Sequence, residues 1–166
     1  RRLHHPVRRE VVLRLNKPWE GSVSAYFTVL KDDDRILLYY RGNPQNGREV
    51  TCVAESSDGI NFTRPDVGLY EFNGSKNNNI IWRGRASHNF TPFKDPNPEA
   101  DPDHRFKAVG YHKGRNLGAF VSPDGIHWEL LVKEPVIKKG AFDSQNLAFW
   151  DPVRKIYVDY HRGFRS

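Results

Sequence analysis

Short apolar stretches alternate with polar turns along the whole chain. Residues 36–41 (Ile-Leu-Leu-Tyr-Tyr-Arg) are typical of these stretches, because they combine β-branched and aromatic residues and lie between polar residues. No segment keeps apolar residues at helical spacing over several turns. We therefore predict an all-β protein with almost no helix.

One tight-turn signature occurs twice. Residues 56–59 are Ser-Ser-Asp-Gly and residues 122–125 are Ser-Pro-Asp-Gly, and an aromatic residue follows each turn, Phe62 in the first copy and Trp128 in the second. Asp-Gly favours a tight turn between two strands, and the aromatic residue predicts that a further strand begins there. The aspartates, Asp58 and Asp124, are 66 positions apart, and we expect both to be structural turn residues.

A second repeated element precedes each of these turns. Apolar stretches end at Asp32, Asp95 and Asp151, which are 63 and 56 positions apart, and a polar turn with a basic residue follows each of them. An aromatic strand comes next in every copy, at residues 36–41, 106–112 and 156–162. A repeat with this order predicts a unit of four short antiparallel strands, which is the blade of a β-propeller.

The repeats predict about two and a half propeller blades. Blade one covers about 16–80, blade two about 81–140 and an incomplete blade three about 141–166, and residues 22–62 should superpose on 87–128. Because a ring needs at least about four blades to close, we expect the chain to be part of a larger protein. Residues 164–166 are expected to fall between the second and third strands of blade three. The alternative is one partly open β-sheet domain that another chain completes.

Composition narrows the choice of partners. The formal net charge is +6, and part of it lies in the first residues (Arg1, Arg2, Arg8, Arg9 and Arg14). The other basic residues are scattered among carboxylates without a nucleic-acid motif, so we expect no nucleic acid; a solvated surface and an acidic or sulfated polysaccharide both stay open. No apolar stretch is long enough to span a membrane, and the single cysteine, Cys52, excludes an internal disulfide framework.

Two segments carry a resemblance to a known superfamily. Residues 122–128 (Ser-Pro-Asp-Gly-Ile-His-Trp) and 142–151 (Phe-Asp-Ser-Gln-Asn-Leu-Ala-Phe-Trp-Asp) resemble the five-bladed propeller glycoside hydrolases, which include invertases, fructosidases, arabinanases and xylosidases. The turn at 151–155 and the opening Lys-Pro-Trp-Glu at 17–20 are similar too, so the resemblance covers about 16–162. It implies the N-terminal fragment of a hydrolase that acts on an oligo- or polysaccharide without a cofactor. A non-catalytic propeller that binds glycans or proteins is the alternative.

Candidate catalytic residues follow from the chemistry of glycoside hydrolysis, which uses two carboxyl groups. Asp143 is the first candidate, because it begins an otherwise apolar strand eight positions before Asp151. The resemblance implies that it is the base or the aspartate that stabilises the transition state; capping of a loop is the alternative. Glu20 is the second candidate, although Trp-Glu-Gly also suits an exposed turn. The general acid of the superfamily has no clear match, since Glu99, Glu129 and Glu134 fall in predicted loops or outer strands.

The remaining candidates would bind the substrate. In a propeller the inner strands begin around a central funnel. Polar residues near the strand starts of blades two and three are therefore expected to line this funnel, and residues at the end of an aromatic strand are further candidates for binding the substrate. These residues are His88, Asn89, Ser144, Gln145, His161 and Arg162, for which buried structural hydrogen bonding is the alternative. We expect no metal site, since His4 and His5 lack partner ligands. The location stays open, with a secreted or periplasmic one favoured.

Overall fold

The computed structural model describes residues 2–163, so that Arg1 and the expected chain end at 164–166 lie outside the described residues. The described part contains ten strands and two short 3-10 helices, the latter at Arg85–His88 and Pro102–His104. The strands are β1 (Ala25–Asp32), β2 (Arg35–Gly42), β3 (Val50–Ser56), β4 (Ile80–Arg83), β5 (Thr91–Lys94), β6 (Phe106–Tyr111), β7 (Leu117–Ser122), β8 (Glu129–Leu130), β9 (Leu147–Asp151) and β10 (Ile156–Tyr160).

The strands form three antiparallel sheets in chain order. The first sheet is β1-β2-β3-β4, the second is β5-β6-β7-β8, and the third consists of β9 and β10. Each of the two larger sheets is a four-stranded meander, in which every strand pairs with the next one along the chain. The prediction of an all-β protein with four-stranded antiparallel sheets is confirmed.

The two Asp-Gly turns have the same hydrogen-bond network. The carboxylate of Asp58 accepts the N–H groups of Ile60 and Asn61, both at 2.8 Å, and Ser56 donates its hydroxyl to the same carboxylate. Gly59 has φ +76° and Gly125 has φ +79°, a left-handed conformation that glycine adopts without strain. Asp124 and Ser122 repeat these contacts in the second sheet. The repeated sequence therefore specifies a repeated local structure.

The fourth strand of the first sheet differs from the prediction. After the Asp-Gly turn, Thr63 forms only an isolated bridge with Glu55, and β4 begins at Ile80. The intervening loop contains Pro65 and Gly68 and a run of asparagines, which disfavour a strand, whereas Ile80–Arg83 (Ile-Ile-Trp-Arg) favours one. In the second sheet, β8 follows the turn directly, as expected.

The main core lies between the first and second sheets. Tyr39 and Phe106 are fully buried in it, together with Leu37, Val53 and Phe120. The hydroxyl of Tyr39 donates to the carbonyl of Gly125 at 2.9 Å, which joins the first sheet to the turn of the second. On the other face of the first sheet, a smaller core around Cys52 and Ile80 is covered by side chains of the N-terminal segment and the long loop, namely Leu13, Leu15, Trp19, Phe62, Tyr70 and Phe72.

The repeated aspartates connect neighbouring sheets at the end where β1, β5 and β9 finish. Asp32, after β1, is ion-paired with Lys94 of the second sheet at 2.7 Å. Burial alone would raise the pKa of Asp32, but Lys94 and Arg35 outweigh it and lower the pKa. Asp95, after β5, accepts the hydroxyl of Tyr157 in the third sheet at 2.7 Å. As a result, β5 lies between β1 and β9, and the three strands begin at the same end of the molecule.

Candidate functional site

Polar and aromatic side chains gather at the end of the molecule where β1, β5 and β9 begin. We call this end the mouth. Some of these residues lie at or just before the starts of β1, β5 and β9, and others lie near the ends of β2, β6 and β10. One further residue lies in the loop before β3. The mouth cluster consists of Tyr26, Arg41, Glu49, His88, Tyr111, Asp143 and Arg162.

Asp143 is an exposed carboxylate in this cluster. Its side chain is 57% exposed and is ion-paired with Arg162. This guanidinium, together with the backbone N–H of Asp143 itself, lowers the pKa of the carboxyl below its usual range. Asp143 is therefore ionised at neutral pH and can accept a proton or attack an electrophilic carbon, but it is a poor proton donor.

His88 lies beside the backbone of Asp143. Its Nε2 is 3.4 Å from the carbonyl oxygen of Asp143, and its Nδ1 is 3.0 Å from the carboxylate of Glu49. The imidazole is stacked on the ring of Tyr111, with centroids 5.2 Å apart, and meets the ring of Tyr26 edge-on. Two residues that the sequence predicted separately, His88 and Asp143, are thus brought together from the segments that precede the second and third sheets.

Arg41 links the other members of the cluster. Its guanidinium donates to the carbonyl of His88 at 3.1 Å and pairs with Glu49 at 3.3 Å. It also lies over the ring of Tyr26, 4.8 Å from the centroid, which is within the range of a cation–π contact. Its side chain is largely buried, so that Arg41 fixes the positions of its neighbours.

Sequence analysis did not single out Tyr26 or Glu49 as site residues. Tyr26 has φ +57° and lies where the register between β1 and β2 shifts, so a bulge directs its side chain towards the mouth. Its hydroxyl donates to the carbonyl of Asp143 at 3.2 Å. Glu49 lies in the loop before β3, where no sequence pattern marks it as a site residue. No local pattern predicts the bulge at Tyr26 either.

Asn89 is buried below the cluster and holds the loop that carries Asp143. Its amide donates to the carbonyls of Phe142 and Ser144, the latter at 3.1 Å, and its oxygen accepts the N–H of Tyr111 at 3.0 Å. Gln145 donates to the hydroxyl of Thr28 at 3.1 Å, which ties the same loop to β1. The predicted residues Asn89, Ser144 and Gln145 therefore take part in contacts between the sheets.

His161 follows β10 directly and contacts a residue of that strand. Its Nδ1 contacts the carboxylate of Asp159, and its ring packs against Phe142 with centroids 4.9 Å apart. Its sequence neighbour Arg162 contacts Asp143 instead. The two predicted residues at the end of β10 thus have different surroundings.

Glu20 lies outside the mouth cluster. Its side chain is fully buried and accepts hydrogen bonds from Arg64 Nε and the hydroxyl of Tyr40, both at 2.6 Å, and from the N–H of Lys17 at 2.8 Å. None of its hydrogen bonds within residues 2–163 goes to the cluster. Glu20 and Asp143, the two predicted catalytic carboxylates, are not brought together by these contacts.

Among the described residues, no group of three or more histidine, cysteine, aspartate and glutamate side chains is arranged to hold a metal ion. No helix between residues 2 and 163 has the length and apolar character needed to cross a membrane.

Comparisons with known proteins give a weak likeness. No protein-family model matches the chain, and none of the curated proteins matches it. The structure is similar to a candidate glycoside hydrolase from Parabacteroides distasonis ATCC 8503, with a TM-score of 0.45 and 17% identity over 78% of this chain and 38% of that one. It is also similar to a glycosyl hydrolase from Bacteroides ovatus, with a TM-score of 0.46 and 16% identity over 78% of this chain and 39% of that one. The chain spans less than half the length of either protein, and likenesses at this level establish neither a shared fold nor a shared activity.

Proposed function

We propose that this chain carries the substrate-binding and catalytic face of a glycoside hydrolase that acts on an oligo- or polysaccharide. The observation that supports it is the mouth cluster, in which an ionised carboxylate lies beside an imidazole, two tyrosine rings and two guanidinium groups. Aromatic rings pack against the apolar faces of sugars, while the charged and hydroxyl groups hydrogen-bond to sugar hydroxyls. An exposed carboxylate in such a setting has the properties that hydrolysis requires.

Asp143 is the proposed catalytic carboxylate. Because Arg162 lowers its pKa, Asp143 is suited to the role of base or nucleophile and not to that of acid. Arg162 is itself 58% exposed, so it can bind a substrate hydroxyl or an acidic group while it stays near Asp143. His88 is half-buried and lies on the same side, where it can contact the substrate. Asn89, Ser144 and Gln145 hold the loop of Asp143 in place.

Glu20 has a structural role in this proposal. A fully buried carboxylate that accepts four hydrogen bonds from protein groups has neither a free lone pair nor an open path to a glycosidic oxygen. Its bonds connect the segment before β1 to β2 and to the long loop of the first sheet. Stabilisation of this corner explains the contacts of Glu20 without a catalytic role.

The sheets are proposed to be blades of a propeller. The third sheet exposes Leu147, Phe149 and Tyr160 on the face that points away from the second sheet. A further sheet that packs on this apolar face would continue the arrangement seen between the first and second sheets. A structure of the intact protein in which Leu147 and Phe149 face solvent would contradict this proposal.

A non-catalytic glycan-binding role is the second candidate. The observation that favours it is that both carboxylates of the mouth cluster are ion-paired, Asp143 with Arg162 and Glu49 with Arg41. Paired carboxylates can serve binding alone. The cationic partners would then suit an acidic or sulfated glycan, in line with the net charge of +6.

The two candidates are separated by one experiment on the intact protein. It is incubated with a panel of neutral, uronic-acid-containing and sulfated oligo- and polysaccharides, and both new reducing ends and binding heats are measured. Hydrolysis of at least one glycan is the expected result. Saturable binding of a glycan that stays uncleaved would contradict the hydrolase and support the binding protein.

A further inference from the structure

The imidazole of His88 is held by acceptor groups at both ring nitrogens, and this arrangement suggests a chemical role. We propose that His88 donates the proton to the leaving glycosidic oxygen, and that Glu49 is the positioning residue that orients the imidazole for this step. The inference rests on the proposed hydrolase function and adds the proton donor for which no glutamate could be assigned.

The orientation of the ring follows from the neighbours of Nδ1. The carboxylate oxygens of Glu49 lie 3.0 and 3.2 Å from Nδ1, which is normal hydrogen-bond distance. An ionised carboxylate only accepts hydrogen bonds, so that the proton of the neutral ring is expected on Nδ1. The guanidinium of Arg41 is further from Nδ1, at 3.5 Å, and pairs with Glu49 and with the carbonyl of His88 instead.

With Nδ1 occupied, Nε2 is the nitrogen that exchanges protons with a ligand. It faces the carbonyl of Asp143, 3.4 Å away, which is a long contact that a substrate oxygen can replace. The stacked ring of Tyr111 and the edge of Tyr26 prevent the imidazole from rotating out of this position. The groups that face the imidazole are therefore the carboxylate of Glu49, the cation of Arg41, the loop of Asp143 and two tyrosine rings.

The other proton-bearing groups of the cluster are less suited to this step. Arg162 keeps Asp143 ionised, and Glu49 is engaged by Arg41 and His88. Burial, and then the charge of Asp143, raises the pKa of Tyr111, which makes this phenol a weaker acid. The imidazole of His88 can both carry a proton on Nε2 and release it there, while Nδ1 keeps its own proton towards Glu49.

In the single-displacement form of the reaction, His88 supplies one proton and Asp143 accepts another. In the imidazolium form of His88, the proton on Nε2 moves to the glycosidic oxygen while the bond between that oxygen and the anomeric carbon breaks, which leaves the neutral ring with its proton on Nδ1. Asp143 takes a proton from a water molecule, whose oxygen forms the new bond to the anomeric carbon. The proton then returns from Asp143 through solvent to Nε2, which restores both groups.

The orientation of the ring can be measured without any substrate. The chain is labelled with ¹⁵N-histidine, and long-range ¹H–¹⁵N correlation spectra show which nitrogen of His88 carries the proton in the neutral ring. We expect Nδ1 in the wild type and a shift towards the Nε2–H form in Glu49→Leu. Glu134→Leu is the matched control, because Glu134 is 69% exposed and its one ion pair among residues 2–163 is with Lys113. An Nε2–H ring in the wild type, or no change in Glu49→Leu, would overturn the inference and leave the proposed function intact.

The proton donation itself is tested by leaving-group dependence. Aryl glycosides of the sugar that the intact protein cleaves are prepared with phenols of differing acidity, since an acidic phenol leaves without protonation. We expect His88→Gln to lose about 100-fold or more in kcat on the poorest leaving group and less than about tenfold on the most acidic phenol. Glu49→Leu should show the same dependence with smaller losses, and Glu134→Leu should match the wild type. Equal losses in kcat across the series would refute the role of His88 as proton donor but not the proposed function. The absence of hydrolysis by the wild type would refute both.

Discussion

Replacement of Arg64 by methionine is expected to destabilise the chain strongly, because it leaves the buried carboxylate of Glu20 without its cation. Glu20 is 0% exposed, and Arg64 donates to it from Nε at 2.6 Å and from Nη2 at 3.0 Å. Removal of one partner from a buried ion pair costs roughly 3–5 kcal/mol of unfolding free energy. The side chain of Arg64 keeps 17% exposure, so water can reach part of the site. We therefore expect a loss near the lower end, about 3 kcal/mol.

This loss is measured by urea unfolding, followed by tryptophan fluorescence, and by thermal unfolding. For a chain of 166 residues, about 3 kcal/mol corresponds to a decrease in Tm of roughly 6–12 °C. Lys113→Met is the matched control, because both side chains of its ion pair with Glu134 are more than half exposed, so its Tm should stay close to that of the wild type. The double variant Glu20→Leu/Arg64→Met should recover part of the loss, since no unpaired charge remains. A loss below about 1 kcal/mol in Arg64→Met would refute the structural role of Glu20.

Two further predictions concern the repeated turns. An added Cβ at Gly125 would lie 2.4 Å from the hydroxyl of Tyr39, whereas at Gly59 it meets only Ile36 at 3.2 Å. Because both positions have positive φ, Gly59→Ala should lower the free energy of unfolding by about 1–2 kcal/mol, and Gly125→Ala by about 1 kcal/mol more. Urea unfolding measures both losses, and equal losses would contradict this prediction. Burial raises the pKa of Asp124, but the backbone N–H and ring of His127 outweigh it and lower the pKa from 3.8 to about 2. The folded state therefore loses stabilisation as the pH falls from 3.8 to about 2. Over this pH range the Tm of Asp124→Asn should decrease less steeply than that of the wild type, and an equal slope would exclude the contribution of Asp124.

Much of the fold could be predicted because its signals are local. The network of Ser56, Asp58 and Gly59 is completed within a few residues, so the same sequence at Ser122–Gly125 forms the same turn. The position of β4 could not be predicted in this way. Thr63 forms only an isolated bridge with Glu55, and Pro65 and Gly68 follow it in the loop. The strand that pairs with β3 is instead β4, which lies further along the chain.

The candidate site was predictable only where it follows the repeat. Asp143 and His88 were identified because both were predicted at the starts of corresponding strands. In the structure they lie a few residues before β9 and β5, and they are close together. Tyr26 depends on a bulge, and Glu49 on the fold of a loop, neither of which leaves a pattern in the sequence. Glu20 shows the reverse case: its burial depends on Arg64, 44 residues further along the chain, so its sequence context alone suggested an exposed or catalytic carboxylate.

The variant Asp143→Asn tests most directly the proposed role of Asp143 as the catalytic carboxylate of a glycan-binding site. In the intact protein, the initial rate of release of reducing ends from the cleaved glycan is measured for the wild type, for Asp143→Asn and for Asp66→Asn. Asp66 is an exposed aspartate of the long loop in the first sheet and serves as the control. We expect Asp143→Asn to lose at least about 100-fold in rate while its glycan affinity and its Tm stay close to those of the wild type, because the carboxylate is exposed and asparagine keeps its shape. Hydrolysis by Asp143→Asn at the rate of the wild type and of Asp66→Asn would contradict the account.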